Sequence, residues 1–213
     1  GILVADTRSL QIWLPQLKNW NAQKEYYLTD LIELATQDER KIESVLLEAT
    51  NEILGINTKR QLAKLERVFQ KKLANWLMDQ AVTLADPDRL DIRGNVSCEE
   101  DVFIDINCVL EGRIYLKQGV KIGAHCIIRN SSIGAGTEIL PFSFIDNVEI
   151  GKNCKVGPYA RLRPETILHD NVSVGNFVEV KKTNIGEGSK VNHLTYLGDA
   201  DLGKKVNVGA GTI

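Results

Sequence analysis

The stretch from Ile150 to Val174 reads IGKNCKVGPYARLRPETILHDNVSV, and an aliphatic residue recurs in it at every sixth position. These positions are Ile150, Val156, Leu162, Leu168 and Val174. A hexapeptide period is typical of a parallel β-helix, in which each aliphatic side chain points inward and stacks on its counterpart one coil away. A sandwich or barrel would instead show turn signals about every 8–12 residues.

The same period continues on both sides of this stretch, from about Leu90 to the last residues. Further six-residue runs of Ile, Leu or Val are joined by five-residue steps, and glycine commonly follows the aliphatic residue, as in IGAGTE, IGEGSK and VGAGTI. Glycine permits the tight corners that such a coil needs. The sequence therefore predicts a mainly β fold, a β-helix of hexapeptide repeats over residues 81–213. The joins pass through Ile128, Ile145, Val180 and Leu197.

A long helix is predicted immediately before the repeats, over residues 60–80. Apolar residues recur there at three- and four-residue steps and form one stripe. Thr58 is the expected N-cap, and the turn-forming sequence ADPDRLDIRG ends the helix. The stripe consists of Leu62, Leu65, Phe69, Leu73, Trp76, Leu77 and Ala81.

The first region, residues 1–59, has a mixed α/β pattern. We expect a helix from about Thr29, with Thr29 and Asp30 able to cap it, and a strand near Ile42–Leu47. The region is too short for a complete doubly wound sheet. It is therefore interpreted as the end of a larger α/β domain.

The composition excludes several classes of protein. The net charge of −2 gives no general case for binding nucleic acid or an anionic membrane, and no apolar run is long enough for membrane insertion. The four cysteines form no CxxC pair, so we interpret them as reduced packing residues of a cytoplasmic protein. The chain begins at Gly1 and ends inside a repeat without a visible cap, which predicts a piece of a longer polypeptide.

Several long strings resemble the GlmU family of bifunctional bacterial enzymes. They are EYYLTD, GINTKRQLAKLERVFQ, DPDRLDIRG and the run from VGPYARLRPE to NVGAGTI, so the resemblance covers essentially the whole chain. It implies the end of a nucleotidyltransferase domain, a linker helix and a left-handed parallel β-helix that forms a homotrimer. The implied reactions are acetyl transfer from acetyl-CoA to glucosamine-1-phosphate, then uridylyl transfer from UTP, giving UDP-N-acetylglucosamine for cell-envelope synthesis. The family's N-terminal glycine-rich nucleotide loop and its C-terminal coils have no counterpart in this sequence.

His193, in NHLTYLGDA, is the expected general base for acetyl transfer. The reaction must remove a proton from an amine, and an imidazole titrates near neutral pH. The resemblance assigns His193 to the family's catalytic histidine. The alternative is a histidine that only satisfies hydrogen bonds at a corner of the coil.

Five further residues match family positions that contact substrates. A guanidinium suits a phosphate because its planar fork forms two parallel hydrogen bonds, and a lysine supplies a second cation. Without the resemblance, each of these residues would be interpreted as a surface charge or a packing residue. The resemblance implies sugar-phosphate binding by Arg163, Lys181, Tyr196 and Asn207, and acetyl-CoA binding by Ala210.

Asn57, in GINTKRQL, matches the family's Mg²⁺-binding asparagine. An amide oxygen suits this hard cation, which proteins usually share with phosphates and a carboxylate. The family's partner aspartate would lie before Gly1, so a complete uridylyl site is not predicted here. The alternative for Asn57 is a neighbour of the helix N-cap.

Two other readings compete with the acetyltransferase. Zinc carbonic anhydrases also use trimeric β-helices, but His125, His169 and His193 are not spaced by multiples of the ~18-residue coil and should not converge simply. The second alternative is a trimeric β-helix scaffold without a completed active site.

Overall fold

The computed structural model describes residues 2–46 and 50–213, which divide into two compact units, Gly1–Leu62 and Ala63–Ile213. Across these described residues, no helix combines the length and the apolar character needed to cross a membrane. Each unit has its own hydrophobic core.

The first unit is built from short helices around Trp13, Leu31 and Ala35. Its elements are α1 (Thr7–Trp13), 3₁₀ turns at Leu14–Gln16, Leu28–Asp30 and Thr50–Ile53, and α2 (Leu31–Gln37).

The helix predicted from about Thr29 is confirmed, because a 3₁₀ turn over Leu28–Asp30 leads into α2. Its predicted cap is wrong, since no side chain bonds to the N-terminus of α2. The strand predicted near Ile42 is also wrong over residues 42–46, where the backbone is irregular. The described residues of this unit contain no strand with which that segment could pair, and an unpaired strand leaves its backbone groups unsatisfied. Leu47 lies outside the described residues.

Helix α3 (Lys59–Asp79) begins at the predicted cap. The Gln61 backbone N–H donates to Thr58 Oγ1 at 3.2 Å, and the Thr58 N–H donates to Gln61 Oε1 at 2.9 Å. This reciprocal pair is a capping box, which satisfies amides that the helix itself cannot use.

The predicted apolar stripe of α3 is only partly buried. Phe69 and Trp76 are about half exposed, at 54% and 48%, whereas Leu77 is fully buried. The buried contacts of the helix are made by Gln70, Ala74 and Leu77, a narrower stripe that includes a polar residue. Both polar atoms of the Gln70 amide bond to the Ile92 backbone at 2.8 Å, which satisfies the buried side chain.

The repeats form a parallel solenoid of 18 short strands. The strands are β1 (Thr83–Leu84), β2 (Leu90–Cys98), β3 (Phe103–Ile104), β4 (Cys108–Leu116), β5 (Lys121–Ile122), β6 (Ile127–Arg129), β7 (Ser132–Ile133), β8 (Glu138–Ile139), β9 (Phe144–Asp146), β10 (Val148–Ile150), β11 (Lys155–Val156), β12 (Arg161–Leu162), β13 (Thr166–Leu168), β14 (Ser173–Lys181), β15 (Asn184–Ile185), β16 (Lys190–Gly198), β17 (Asp201–Leu202) and β18 (Asn207–Val208). The prediction of a left-handed parallel β-helix is confirmed.

The core of the solenoid consists of aliphatic side chains stacked in register from coil to coil. Parallel strands lie about 4.8 Å apart, so side chains at paired positions touch. One complete stack contains all four predicted joins. Its members are Ile92, Leu110, Ile128, Ile145, Leu162, Val180 and Leu197, and each is at least 91% buried.

The cysteines are free thiols, as predicted, and three of them line the interior. Burial raises the pKa of Cys126 to about 12 and that of Cys108 to about 11. Each of these thiols lies within hydrogen-bonding distance of a backbone carbonyl of the next coil, at 3.2 Å. They therefore behave as packing residues.

Candidate acetyl-transfer site

Four of the predicted site residues lie on three successive coils, at one corner of the solenoid and on the face that follows it. Arg163 directly follows β12, Lys181 ends β14, and His193 and Tyr196 belong to β16. Arg163 N–H donates to the Val180 carbonyl at 2.8 Å, which puts Arg163 beside Lys181. The parallel register thus assembles residues separated by up to 33 positions in sequence.

His193 is an exposed residue whose side chain contacts a residue of the preceding coil. It pairs in register with Asn176, and its Nδ1 lies 3.0 Å from Asn176 Oδ1. The backbone at this position is fixed by the buried Thr195, whose hydroxyl donates to the His193 carbonyl at 2.7 Å. The imidazole therefore has a defined partner on one nitrogen.

Aromatic rings are stacked along the corner next to His193. His125 and Phe142 lie 4.8 Å apart by ring centroid, Phe142 and Tyr159 lie 5.0 Å apart, and Tyr159 and Phe177 lie 5.4 Å apart. Stacked aromatic pairs contribute more to stability than the burial of their surface alone. This ladder stabilises the corner immediately before the coil that carries His193.

The predicted phosphate-binding cations already have carboxylate partners. Glu179 accepts from Arg163 at 2.8 Å and lies 3.7 Å from Arg161. Asp199 likewise lies 3.9 Å from Lys181 and 3.2 Å from Lys182.

Four cations therefore share two carboxylates in these ion pairs, and all the groups are at least one-third exposed. Exposed ion pairs contribute little to stability. Breaking these ion pairs would therefore cost the fold little.

Tyr196 lies over a glycine two residues further along the chain. A Cβ added at Gly198 would approach the Tyr196 hydroxyl oxygen to 2.5 Å, so the missing side chain of Gly198 makes room for the phenol. Gly198 is also the register partner of Lys181. The Tyr196 phenol therefore lies over the register partner of Lys181.

Asn207 and Ala210 belong to the following coil. Asn207, in β18, pairs with Lys190 of β16. Both lie on the face that comes before the corner at His193. Gly211 N–H donates to the Leu194 carbonyl at 3.0 Å, which places Ala210 one coil after His193. The structure therefore brings Ala210 next to the histidine, whereas Asn207 lies around the corner from Tyr196.

Asn57 belongs to the first unit and is exposed. Its backbone N–H donates to Gln61 Oε1 at 2.8 Å, so it directly precedes the N-cap of α3, as the alternative interpretation expected. Within residues 2–46 and 50–213, no group of three or more His, Cys, Asp or Glu side chains could hold a metal ion.

The three histidines occupy different parts of the solenoid. His125 belongs to the aromatic ladder, and His169 follows β13, where its backbone N–H donates to the Ile185 carbonyl. An open groove of about 890 Å³ is lined by Tyr115, Asn130 and their neighbours and contains none of the predicted site residues.

Sequence reasoning missed Asn176, Glu179 and Gly198 at this site. Asn176 and Glu179 each lie 17 positions, one coil, before a predicted residue, His193 and Tyr196 respectively. Reading the sequence in steps of one coil would have found both.

The fold and the repeat define a class, the hexapeptide-repeat parallel β-helix proteins. Within it, the whole chain matches proteins named "Bifunctional protein GlmU", with 54% identity to that of Aromatoleum aromaticum, 55% to that of Burkholderia thailandensis and 53% to that of Chromobacterium violaceum. Every residue of the chain is covered in these matches, so the resemblance to the GlmU family is confirmed along its full length. The chain spans about half of these relatives, 47% of their length.

Two other comparisons gave matches to part of the chain. The model of the GMPPB C-terminal domain family matches residues 92–196. A solved structure of a candidate acetyltransferase from Bacillus cereus covers 62% of this chain and 80% of its own, at 14% identity and a TM-score of 0.25. At that score the structural similarity supports no conclusion about function.

Proposed function

We propose that this chain transfers an acetyl group from acetyl-CoA to the amine of glucosamine-1-phosphate. The observation that carries the proposal is the placement of four predicted residues on three successive coils. His193 lies at a corner, and Tyr196, Lys181 and Arg163 lie on the face that follows it. The match of the whole chain to about half of proteins named as bifunctional GlmU supports the same reaction.

In the proposed mechanism His193 acts as general base. It takes a proton from the substrate amine, whose lone pair attacks the thioester carbonyl carbon. The tetrahedral intermediate collapses, the C–S bond breaks, and the leaving thiolate takes up the proton that His193 removed. The products are the N-acetylated sugar phosphate and free coenzyme A thiol, and the base returns to its starting state.

The other predicted residues bind and orient the reactants. Arg163 and Lys181 hold the sugar phosphate, which replaces Glu179 and Asp199 as their partner. Tyr196 offers a hydroxyl to the sugar, and the small Ala210 lets the acetyl donor approach the backbone. Asn207 stays a predicted substrate-binding residue, on the face that precedes the corner. Holding both reactants beside the base lowers the entropic part of the barrier.

Further parts of the proposal concern a longer protein. Uridylyl transfer from UTP, with Mg²⁺ at Asn57, would need residues outside this chain, and its partner carboxylate is not supplied here. We also infer a homotrimer, as the resemblance to the GlmU family implies, and a β-helix is compatible with it. The cytoplasmic location stays a prediction.

The test is release of thiol from acetyl-CoA, with and without glucosamine-1-phosphate. Wild-type chain should release thiol only when the sugar is present, and His193→Ala should lose about 10²–10⁴-fold in rate, as expected for a general base. His169→Ala is the matched control, because His169 lies outside the site, and it should keep the wild-type rate. A folded, trimeric wild-type chain that released no thiol would favour the scaffold alternative.

A further inference from the structure

We propose that Asn176 is a positioning residue, which fixes the tautomer of His193 so that Nε2 is free to act as base. The inference rests on the proposed function for its catalytic meaning. Its structural content, which nitrogen of His193 carries the proton, can be tested without any activity.

The contact that carries the inference is the one between Asn176 Oδ1 and His193 Nδ1, at 3.0 Å. An amide oxygen can only accept a hydrogen bond, so the imidazole must donate from Nδ1–H. In a neutral ring, one nitrogen is then a donor and the other an acceptor. The proton on Nδ1 leaves the lone pair on Nε2.

The backbone holds the two side chains at this distance. Asn176 and His193 are register partners in adjacent parallel strands, β14 and β16, and their neighbours Val178 and Thr195 are also paired and buried. Asn176 is itself half-buried. Its amide therefore loses little conformational freedom when it bonds to the ring, so the hydrogen bond costs less entropy than one between mobile surface groups.

The chemistry explains why an amide suits this position. A histidine that starts a reaction as a base must present a lone pair to the amine, and the bond made by its other nitrogen decides which nitrogen does so. A neutral oxygen fixes the tautomer without placing a full negative charge beside the ring. If the amide were reversed, its NH₂ would donate to Nδ1 and the proton would move to Nε2, which would block the base.

The direct test is ¹⁵N NMR of the chain labelled at histidine, recorded well above the ordinary titration range of histidine. The chain has three histidines, so the His193→Ala spectrum assigns the His193 signals. We expect Nδ1 to be protonated and Nε2 to be unprotonated in the wild-type chain. A protonated Nε2 in the wild-type chain would overturn the inference, whatever the activity.

Three variants test the cause. Asn176→Leu, of similar size but without an acceptor, should give a mixture of tautomers and lower kcat about tenfold with little change in KM, the effect of one hydrogen bond. Asn176→Asp keeps an acceptor oxygen and should keep the Nδ1–H tautomer. Asn192→Ala is the matched control, since Asn192 lies next to His193 but accepts from Ser173 at 3.1 Å, and it should leave the tautomer unchanged.

The outcomes separate the inference from the proposed function. An unchanged tautomer in folded Asn176→Leu would contradict the role of Asn176. If Asn176→Leu failed to fold, the wild-type and Asn176→Asp spectra would still decide which nitrogen carries the proton. A wild-type chain with the expected tautomer but no thiol release would refute the acetyl-transfer proposal and leave the assignment of the proton intact.

Discussion

Replacing Gly175 by alanine should strongly destabilise the coil that carries His193. A Cβ at this position would lie 2.0 Å from the Asn192 carbonyl oxygen and 2.7 Å from its carbonyl carbon. Both atoms belong to the backbone, so the clash cannot be relieved by a change of rotamer. The strands β14 and β16 would have to move apart where Asn176 meets His193.

The expected loss is about 3 kcal/mol in the free energy of unfolding, the upper part of the range for overpacking a tight interior. For a unit of about 150 residues this corresponds to a fall of roughly 6–12 °C in Tm. The measurement is urea and thermal unfolding followed by circular dichroism. Gly203→Ala is the control, because its new Cβ would meet only the side chain of Val206, at 4.0 Å.

The control should change stability by less than about 0.5 kcal/mol, as is usual for a substitution that touches little. A Gly175→Ala chain as stable as Gly203→Ala would refute the reasoning, since it would show that the two coils are not in close contact at this position. A second readout is the His193 ring signal, which should shift in Gly175→Ala and stay unchanged in the control.

Three further predictions concern single residues. Thr137→Val should lower the free energy of unfolding by about 2 kcal/mol. The change leaves the buried Cys154 N–H, which donates to Thr137 Oγ1 at 2.9 Å, without an acceptor. A loss below about 0.5 kcal/mol would contradict this. Gly198→Ala should displace the Tyr196 phenol and raise KM for the sugar phosphate about tenfold, the effect of about one lost hydrogen bond. Its Tm should stay within about 2 °C of wild type. An unchanged KM would show that this phenol does not bind substrate. Burial raises the pKa of Cys126 to about 12, so near neutral pH it forms about three orders of magnitude less thiolate than an ordinary cysteine. This thiol should therefore react with disulfide reagents only after denaturation. Rapid reaction in the folded chain would contradict the burial.

The β-helix could be predicted from the sequence because its core residues recur at a nearly constant interval. Every sixth residue points inward, and the five-residue joins at Ile128, Ile145, Val180 and Leu197 keep the same column in register. A local pattern therefore determined the long-range contacts. The capping box of Thr58 and Gln61 was predictable in part for the same reason, since it depends on residues three positions apart.

The contacts of α3 could not be predicted by hydrophobicity alone. Phe69 and Trp76 are the largest apolar residues of the predicted stripe, yet both are about half exposed, and the polar Gln70 is buried. The amide of Gln70 is satisfied by the Ile92 backbone, a partner that no helical periodicity can identify. Among the described residues, a long-range partner is also missing for the segment 42–46, where a strand was predicted.

The candidate site was predictable only as far as the resemblance reached. Its residues are hydrophilic and lie on the outside of the coil, where the repeat places no constraint on residue type. Asn176 and Glu179 became visible only through the register between β14 and its neighbours. Positions one coil apart, rather than neighbours in sequence, form this site.

The most direct test of the central claim is to identify the product by mass spectrometry after incubating the chain with acetyl-CoA and glucosamine-1-phosphate. We expect an N-acetylated sugar phosphate with wild type and with His169→Ala, and none above background with His193→Ala. Equal product from wild type and a folded His193→Ala would contradict the assignment of the base. No product from a folded, trimeric wild-type chain would contradict acetyl transfer by these residues and leave the solenoid as a scaffold.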